Sequence, residues 1–181
     1  TFMILGNICT RSCGFCGVKT GRPETVDWDE PEKVARSIKI MNIKHAVVTS
    51  VDRDDLKDGG SIIWIETIKA IRRMNPNTTL ETLIGDFQGI ERNIDRIVEA
   101  NPEVVSHNME TVKRLTREVR IQAKYDRSLE VLRYLKAKGI NRTKSGIMLG
   151  LGETEEEVIE TLNDLRNVNV DVVTIGQYLQ P

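Results

Sequence analysis

Short apolar runs alternate with longer amphipathic runs along most of the chain. Six of the short runs contain few polar residues, as expected of parallel strands that are covered on both faces. These predicted strands are Phe2–Ile8, His45–Ser50, Thr79–Ile84, Glu103–His107, Lys144–Gly150 and Asp171–Gly176. In the intervals, apolar residues recur at helical spacing, as at Val34, Ile38 and Met41. The pattern predicts repeated strand–helix units.

Several signals mark the ends of the predicted helices. Asp29 is a predicted N-cap, and Thr154 with Glu157 matches a capping box. Gly139 follows a leucine-rich helical run in the position that favours a left-handed residue. A shorter helix is predicted over Glu110–Glu118.

The order of elements predicts one α/β domain over residues 1–181, with a parallel sheet and right-handed crossovers. Both a doubly wound sheet and a curved, incomplete barrel fit this order. Polar residues follow the strands, and the carboxyl ends of parallel strands are where α/β folds place their chemistry. These residues are Cys9, Ser50–Asp52, Asp86, Asn108, Glu110, Gly152–Glu153 and Gln177–Tyr178.

Composition and charge exclude few classes of protein but favour none that binds polyanions. The net charge is −1 and 29% of residues are charged, so nothing indicates a nucleic acid or a membrane surface as partner. The apolar run Phe2–Leu5 is too short to span a bilayer, and no signal peptide is evident. We expect a cytoplasmic or organelle-matrix protein. Because the chain begins at Thr1 without Met and stops at Pro181 just after a predicted strand, we interpret it as an internal fragment.

The three cysteines of the chain, Cys9, Cys13 and Cys16, fall in one C-x3-C-x2-C motif. An odd, clustered count argues against a disulfide framework and for a metal site. Three thiolates on one tight loop can bind three irons of a cubane cluster, which leaves the fourth iron open for chemistry. A zinc site completed by His45 or His107 and a set of unligated thiols are the alternatives.

This motif resembles the signature of the radical S-adenosylmethionine (SAM) superfamily. The resemblance implies a [4Fe–4S] cluster whose open iron binds the amino and carboxylate groups of SAM. An electron from the cluster then cleaves the sulfonium and releases a 5′-deoxyadenosyl radical that abstracts hydrogen. It also implies the radical SAM core fold, a partial (β/α)6 TIM-like barrel. Phe15 occupies the aromatic position beside adenine, although it could simply be a packing residue.

Further blocks are similar to the lipoyl synthases in particular, and together they cover nearly the whole chain. They are Thr1–Arg11, Gly21–Pro23, Val48–Gly60, His107–Thr111, Lys144–Thr154 and Gly176–Pro181. One position departs from that family, because Gly85 stands where proline is common.

The resemblance assigns SAM contacts residue by residue. Ser50 and Asp52 would meet the methionine amino group, where a carboxylate accepts a charge-assisted bond; an acidic surface loop is the alternative. Asn108 and Glu110 would bind the ribose hydroxyls and the methionine part, although Asn108 could instead cap the Glu110–Glu118 helix.

Two further contacts follow from the same resemblance. Arg120 would pair with the SAM carboxylate, for which a guanidinium is apt, and the backbone near Leu179 would border adenine. We interpret His45 and His107 as structural. No acid–base pair is evident, so no catalytic side chain is predicted, which fits a radical mechanism.

Membership of the lipoyl synthases would imply insertion of two sulfur atoms, at C6 and C8 of a protein-bound octanoyl-lysine. The expected partners are a lipoyl carrier domain or a glycine-cleavage H protein, and a reductant such as flavodoxin or ferredoxin. The auxiliary [4Fe–4S] cluster of that family would lack ligands here, since no cysteine remains beyond the first three. The alternatives are a biotin synthase-like sulfur-insertion enzyme and a non-catalytic metal-binding module.

Overall fold

A parallel sheet with helices between its strands forms the centre of the protein, and the computed structural model describes residues 1–181. The strands are β1 (Phe2–Ile4), β2 (Ile8–Cys9), β3 (Lys19–Thr20), β4 (His45–Ser50), β5 (Thr79–Leu83), β6 (Val104–Ser106), β7 (Thr143–Leu149) and β8 (Val172–Gln177). The helices are α1 (Glu30–Ile40), α2 (Ser61–Met74), α3 (Glu91–Ala100), α4 (Thr116–Val119), α5 (Tyr125–Ala137) and α6 (Glu155–Asn167), with a 3₁₀ turn at Phe87–Gly89. None of these helices combines the length and apolar character that a membrane crossing requires.

The six-stranded sheet has the spatial order β1-β4-β5-β6-β7-β8, which is also the chain order, and every pairing is parallel. A doubly wound sheet would reverse its order at a switch point, and this one does not. Successive helices pack on one another along one face of the sheet, α1 on α2, α2 on α3 and α3 on α5. Because β1 and β8 are not paired with each other, the barrel stays open. The predicted partial (β/α)6 barrel is confirmed.

The main core lies between the helices and the outer face of the sheet. Ile4 on β1, Ile38 on α1, Trp64 on α2 and Ile97 on α3 are all fully buried there. Burying one such side chain contributes about 1.5–3 kcal/mol. This layer leaves the inner face of the sheet and the carboxyl ends of its strands free to form a site.

The inner face carries a polar group at its base. Lys144 Nζ bonds both carboxylate oxygens of Glu81, at 2.9 and 3.2 Å, and Ser106 Oγ donates to the same carboxylate at 2.8 Å. Because Leu83, Ser106 and Lys144 are in register across three strands, they share one face, with Glu81 one step below.

The first predicted strand is wrong beyond Ile4. Leu5 and Gly6 adopt positive φ values of 68° and 90°, which turn the chain out of the sheet. The Leu5 amide there donates to Glu30 Oε2 at 2.7 Å instead of to a neighbouring strand. Ile8–Cys9 then pairs with β3 in a separate two-stranded sheet, which carries the cysteine segment across the strand ends.

The predicted helix over Glu110–Glu118 is also wrong, since only the single turn α4 forms. Residues before it follow β7 instead, because the Glu110 amide donates to Gly146 O at 2.9 Å and Met148 N donates to Glu110 O at 2.9 Å. Asn108 therefore caps no helix. This extension brings Asn108 and Glu110 to the carboxyl end of the sheet.

The capping predictions have different outcomes. At α6, Thr154 Oγ1 accepts from Glu157 N and the Glu157 carboxylate accepts from Thr154 N, so the capping box is confirmed. Gly139 follows α5 with a φ of 89°, as predicted. Asp29 holds the N-cap position of α1 but makes no side-chain cap bond.

Removing the α6 cap should destabilise the fold measurably. We expect Thr154→Ala to lower the free energy of unfolding by about 1 kcal/mol, because one amide of the first turn loses its acceptor. Urea denaturation measures the change. Ser37→Ala serves as control, because Ser37 lies half-buried within α1 and its side chain bonds only the Lys33 carbonyl. Equal losses in the two variants would contradict the prediction.

Candidate metal and cofactor site

One cavity of about 280 Å³ lies at the carboxyl ends of the strands. Nine of the ten predicted metal and cofactor residues line it: Cys9, Cys13, Phe15, Cys16, Ser50, Asp52, Asn108, Glu110 and Arg120. Leu179 does not, and it is 80% exposed. Its segment nevertheless borders the cysteines, because Pro181 Cβ lies 3.1 Å from the point that a Cβ on Gly17 would occupy.

The cysteine loop, residues 9–16, is held by backbone and side-chain bonds to two neighbouring segments. Thr10 Oγ1 donates to Asp52 O at 2.9 Å and accepts from Asp54 N at 3.0 Å, which ties the loop to the end of β4. Gly14 N donates to Val119 O at 2.9 Å, which ties it to the end of α4.

Backbone amides point at two of the three sulfurs. Cys9 Sγ accepts from the amides of Arg11 and Asp52, at 3.4 and 3.3 Å. Cys16 Sγ accepts from Val18 N at 3.4 Å. Hydrogen bonds of this kind favour a thiolate and tune a cluster bound to it.

The donor set fits an iron–sulfur cluster. Burial raises the pKa of the Cys13 thiol to about 11 and also raises the pKa of Cys9. Such thiols become ligands only when a bound cation compensates their negative charge. Three soft sulfurs on one loop, beside a cavity and without a fourth thiol, match a cubane that keeps one iron open.

The zinc alternative lacks its fourth ligand. His45 begins β4, at the end of the sheet opposite the cavity, and its Nδ1 lies 2.8 Å from Thr79 Oγ1. His107 is buried with both nitrogens bonded, Nδ1 to Ile84 O and Nε2 to Ser128 Oγ, each at 2.9 Å. No three Cys, His, Asp or Glu side chains converge in a way that could hold a metal ion. A cubane cluster does not need such convergence, because each of the three sulfurs binds a different iron.

A buried guanidinium organises the charges beside the cysteines. The Arg11 side chain is only 3% exposed; its Nε and Nη2 bond Asp54 at 2.7 and 2.8 Å, and Nη2 bonds Asp86 Oδ1 at 2.6 Å. Asp86 is fully buried and also accepts from Arg127 Nη1 at 3.2 Å. Asp52 Oδ1 lies 3.7 Å from Arg11 Nη1, too far for a hydrogen bond. We call Arg11, Asp52, Asp54, Asp86 and Arg127 the Arg11 network.

The carboxylates of this network differ in their electrostatics. Burial raises the pKa of Asp52 to about 6; Asp86 and Asp54 add to this, while Arg11 opposes it. Burial also acts on Asp86, but its hydrogen bond to Arg11 and the guanidinium charge outweigh it and lower the pKa to about 2. Asp52 is therefore the carboxylate that remains free to meet a cationic group in the cavity.

The loop after β4 is only partly solvated. Arg53 is buried within it and bonds Asp55 twice, each at 2.9 Å. Arg53 also donates to the carbonyls of Leu5 and Glu24. The charges of Arg53 and Asp54 are thus paired within the structure, whereas Asp55 and Lys57 remain exposed.

Arg120 lines the same cavity and presents hydrogen-bond donors to it. Its Nη1 donates to Met109 O at 2.7 Å and to Ser128 Oγ at 3.4 Å, while Nε and Nη2 have no partner in the protein. Burial raises the pKa of neighbouring Glu110, and the charge of Arg120 opposes this. Glu110 holds a φ of 64°, a conformation that a non-glycine residue keeps only where its surroundings enforce it.

Two glycines make room for site side chains. A Cβ on Gly85 would lie 2.3 Å from Asp52 Oδ1, and one on Gly146 would lie 3.0 Å from Asn108 Oδ1. The departure at Gly85 therefore coincides with the Asp52 carboxylate, which fills the space that a proline Cβ would take.

Sequence reasoning missed the roles of Arg11, Asp86 and Ser128. The signal available for the first two was a lone arginine between two cysteines together with acidic residues after two neighbouring strands. Ser128 gave none, because it lies inside a helical run.

The burial of His107 makes stability depend on pH. Burial lowers its pKa from 6.5 to about 4, so between these values the unfolded chain binds more protons than the folded one. The contribution is therefore complete above about pH 6.5, and about 3 kcal/mol of stability is lost by about pH 4. The free energy of unfolding, measured by urea denaturation, should differ less between about pH 7 and about pH 4.5 in His107→Gln than in the wild type. His45→Gln, at a half-exposed position, should keep the wild-type difference; a flattening in both variants would contradict the assignment.

Comparison with known proteins agrees with this geometry. A protein named lipoyl synthase from Flavobacterium johnsoniae is 92% identical over all 181 residues, and a mitochondrial lipoyl synthase from Nematostella vectensis is 87% identical over the same length. The chain spans 63% and 62% of these two relatives.

Solved structures show the same fold at low sequence identity. Methylornithine synthase matches with a TM-score of 0.77 at 16% identity, over 98% of this chain and 52% of its own. HydG, a maturase of the [FeFe]-hydrogenase, matches with a TM-score of 0.79 at 16% identity, over 98% of this chain and 42% of its own. The family model described as the radical SAM superfamily matches residues 3–165. The chain therefore belongs to the radical SAM superfamily.

Proposed function

We propose that this chain is the SAM-binding core of a lipoyl synthase. The observation that carries the proposal is the single cavity that gathers all three cysteines with six of the predicted SAM contacts. Identity of 87–92% over the whole chain to proteins named lipoyl synthase supports the specific reaction. The whole protein would insert sulfur at C6 and C8 of a protein-bound octanoyl-lysine.

The cysteines would hold one [4Fe–4S] cluster, with Cys9, Cys13 and Cys16 each binding one iron. When bound, the cluster supplies the electron that cleaves SAM and so initiates hydrogen abstraction. The chain's own contribution is to place the sulfurs beside the cavity, to donate amide hydrogens to two of them and to shield Cys9 and Cys13 partly from solvent.

The charged residues of the cavity complement the two ends of a methionine moiety. Asp52, which lacks a hydrogen-bonded cation of its own, would accept from the ammonium with Ser50 beside it. The unpaired Nε and Nη2 of Arg120 would donate to the carboxylate as a bidentate pair. The chain of bonds from His107 through Ser128 fixes the orientation of this guanidinium.

The remaining contacts would bind the nucleoside. Asn108 and Glu110 lie together at the end of the sheet and offer a neutral and an acidic acceptor for ribose hydroxyls. Phe15 packs near Val112, Leu115 and Val119 and would offer its ring to adenine. The backbone near Leu179 would complete that side.

The wider reaction requires components outside these residues. An auxiliary [4Fe–4S] cluster would supply the sulfur, and an octanoylated lipoyl carrier domain or glycine-cleavage H protein would present the substrate. Flavodoxin or ferredoxin would deliver electrons. We place the reaction in the cytoplasm, or in a mitochondrial or plastid matrix.

Reductive SAM cleavage tests the core of the proposal. After anaerobic reconstitution, the 181-residue chain should bind about four irons and form 5′-deoxyadenosine when reduced. Cys13→Ser should lower this product by at least about 100-fold, because a thiolate ligand to iron is lost. Ser12→Ala, on the same loop, is the matched control and should stay near the wild-type rate. One tightly bound zinc without SAM cleavage would show instead a non-catalytic metal-binding module.

Gly85 offers a test of the Asp52 contact. Gly85→Ala should rotate the Asp52 carboxylate away from its place and weaken SAM binding by about tenfold, a cost typical of one charged hydrogen bond. Equilibrium binding of SAM to the reconstituted chain measures the effect. Gly139→Ala, at a site with no atom within reach of its Cβ, controls for strain at a glycine and should leave the Kd unchanged. An unaltered Kd in Gly85→Ala would remove Asp52 from the proposed contacts.

A further inference from the structure

The cysteine loop contains a charged side chain that the proposed chemistry does not use. Arg11 lies between Cys9 and Cys13, and its guanidinium turns inward, away from solvent, into the wall of the cavity. It reaches Asp54, from the loop after β4, and Asp86, from the loop after β5. A guanidinium buried to this extent remains charged only where several acceptors replace the water that would otherwise hydrate it.

Asp86 is the member of the Arg11 network with no exposure and with both carboxylate oxygens engaged. Oδ1 accepts from Arg11 Nη2 and from Gln88 N, and Oδ2 accepts from Arg127 Nη1. It therefore joins three parts of the fold: the cysteine loop, the 3₁₀ turn and helix α5. Asp54 pairs with Arg11 through two hydrogen bonds, but it is 29% exposed and accepts from no second arginine.

The backbone beside Asp86 is strained, and the strained turn places an amide donor against its carboxylate. Phe87 and Gln88 both have positive φ, at 44° and 55°. Bulky residues adopt this region only when surrounding contacts impose it, and such positions cluster at functional sites. The turn brings Gln88 N onto Asp86 Oδ1 and so helps to fix the carboxylate that faces Arg11.

We propose that Asp86 is a positioning residue, which acts through Arg11 to hold the cysteine loop in the shape needed for cluster and SAM binding. This inference rests on the proposed function for its SAM readout only. Arg127 supports Asp86 from the side of α5, and the carboxylate itself touches neither a sulfur nor any predicted SAM contact through a hydrogen bond.

Asp86→Asn tests the proposal, because it keeps the shape of the side chain but removes its charge. The amide nitrogen must then face a donor, either on Arg11 or on Arg127. Asp171→Asn is the matched control. Asp171 accepts from Lys136 and from Thr143 N, but it lies just before β8, at the end of the sheet opposite the cavity.

The first readout is hydrogen–deuterium exchange of residues 9–16 before reconstitution, each variant being measured at the same interval below its Tm. Asp86→Asn should exchange about tenfold faster than the wild type in this segment, as expected when a hydrogen bond between charged groups is lost. Asp171→Asn should match the wild type there. Equal exchange of residues 9–16 in all three proteins overturns the proposal.

The second readout is the KM for SAM in reductive cleavage by the reconstituted chain. It should rise about tenfold in Asp86→Asn, with a smaller change in kcat, and should not rise in Asp171→Asn. An unchanged KM also overturns the proposal. If the wild-type chain cleaves no SAM, the proposed function fails, while the exchange measurement still decides the role of Asp86.

A second variant covers the case in which Asp86→Asn does not fold. The Arg127 side chain is 31% exposed and is the outer partner of Asp86. Arg127→Gln removes this partner and leaves Arg11 in place. Exchange of residues 9–16 should then rise about threefold, because one of the two charged partners of the carboxylate remains. Wild-type exchange in this variant overturns the proposal.

Discussion

The burial of the Arg11 guanidinium is the constraint on which the rest of the site depends. A charge with so little access to water needs carboxylate partners, and they come from the loops after two adjacent strands. The cysteine loop must therefore cross the carboxyl ends of β4 and β5. That crossing puts Cys9 within reach of the Asp52 amide and the other sulfurs beside the same cavity.

Most of the fold could be predicted because its strands and helices carry strong local patterns. Five of the six predicted strands occur where the apolar pattern indicated them, and a long helix lies in each interval between strands of the six-stranded sheet, as the strand–helix units predicted. The two errors have a common cause. The apolar run through Leu5 to Ile8 hides a turn made by a bond to Glu30, and the helix-like run after Glu110 is drawn out along β7. In both cases a contact distant in sequence overrides a local preference.

The candidate site could be predicted in part, for two different reasons. The cysteine spacing and the polar residues after each strand are readable, because parallel strands bring their carboxyl ends to one edge. The residues that support these site residues cannot be identified from the sequence. Arg11 and Asp86 are 75 positions apart, and Ser128 meets His107 across 21 positions, so neither pairing leaves a pattern in the chain. Only the folded structure shows which of these side chains are paired.

The open edge of the barrel determines how the cavity can be approached. A closed barrel admits ligands only at its ends, whereas here β1 and β8 leave one side of the wall missing. Met3, on β1, lines the cavity and is 43% exposed. Within residues 1–181, the wall of the cavity is therefore incomplete between β1 and β8. Shielding a bound ligand from water on that side requires a surface that these strands do not provide.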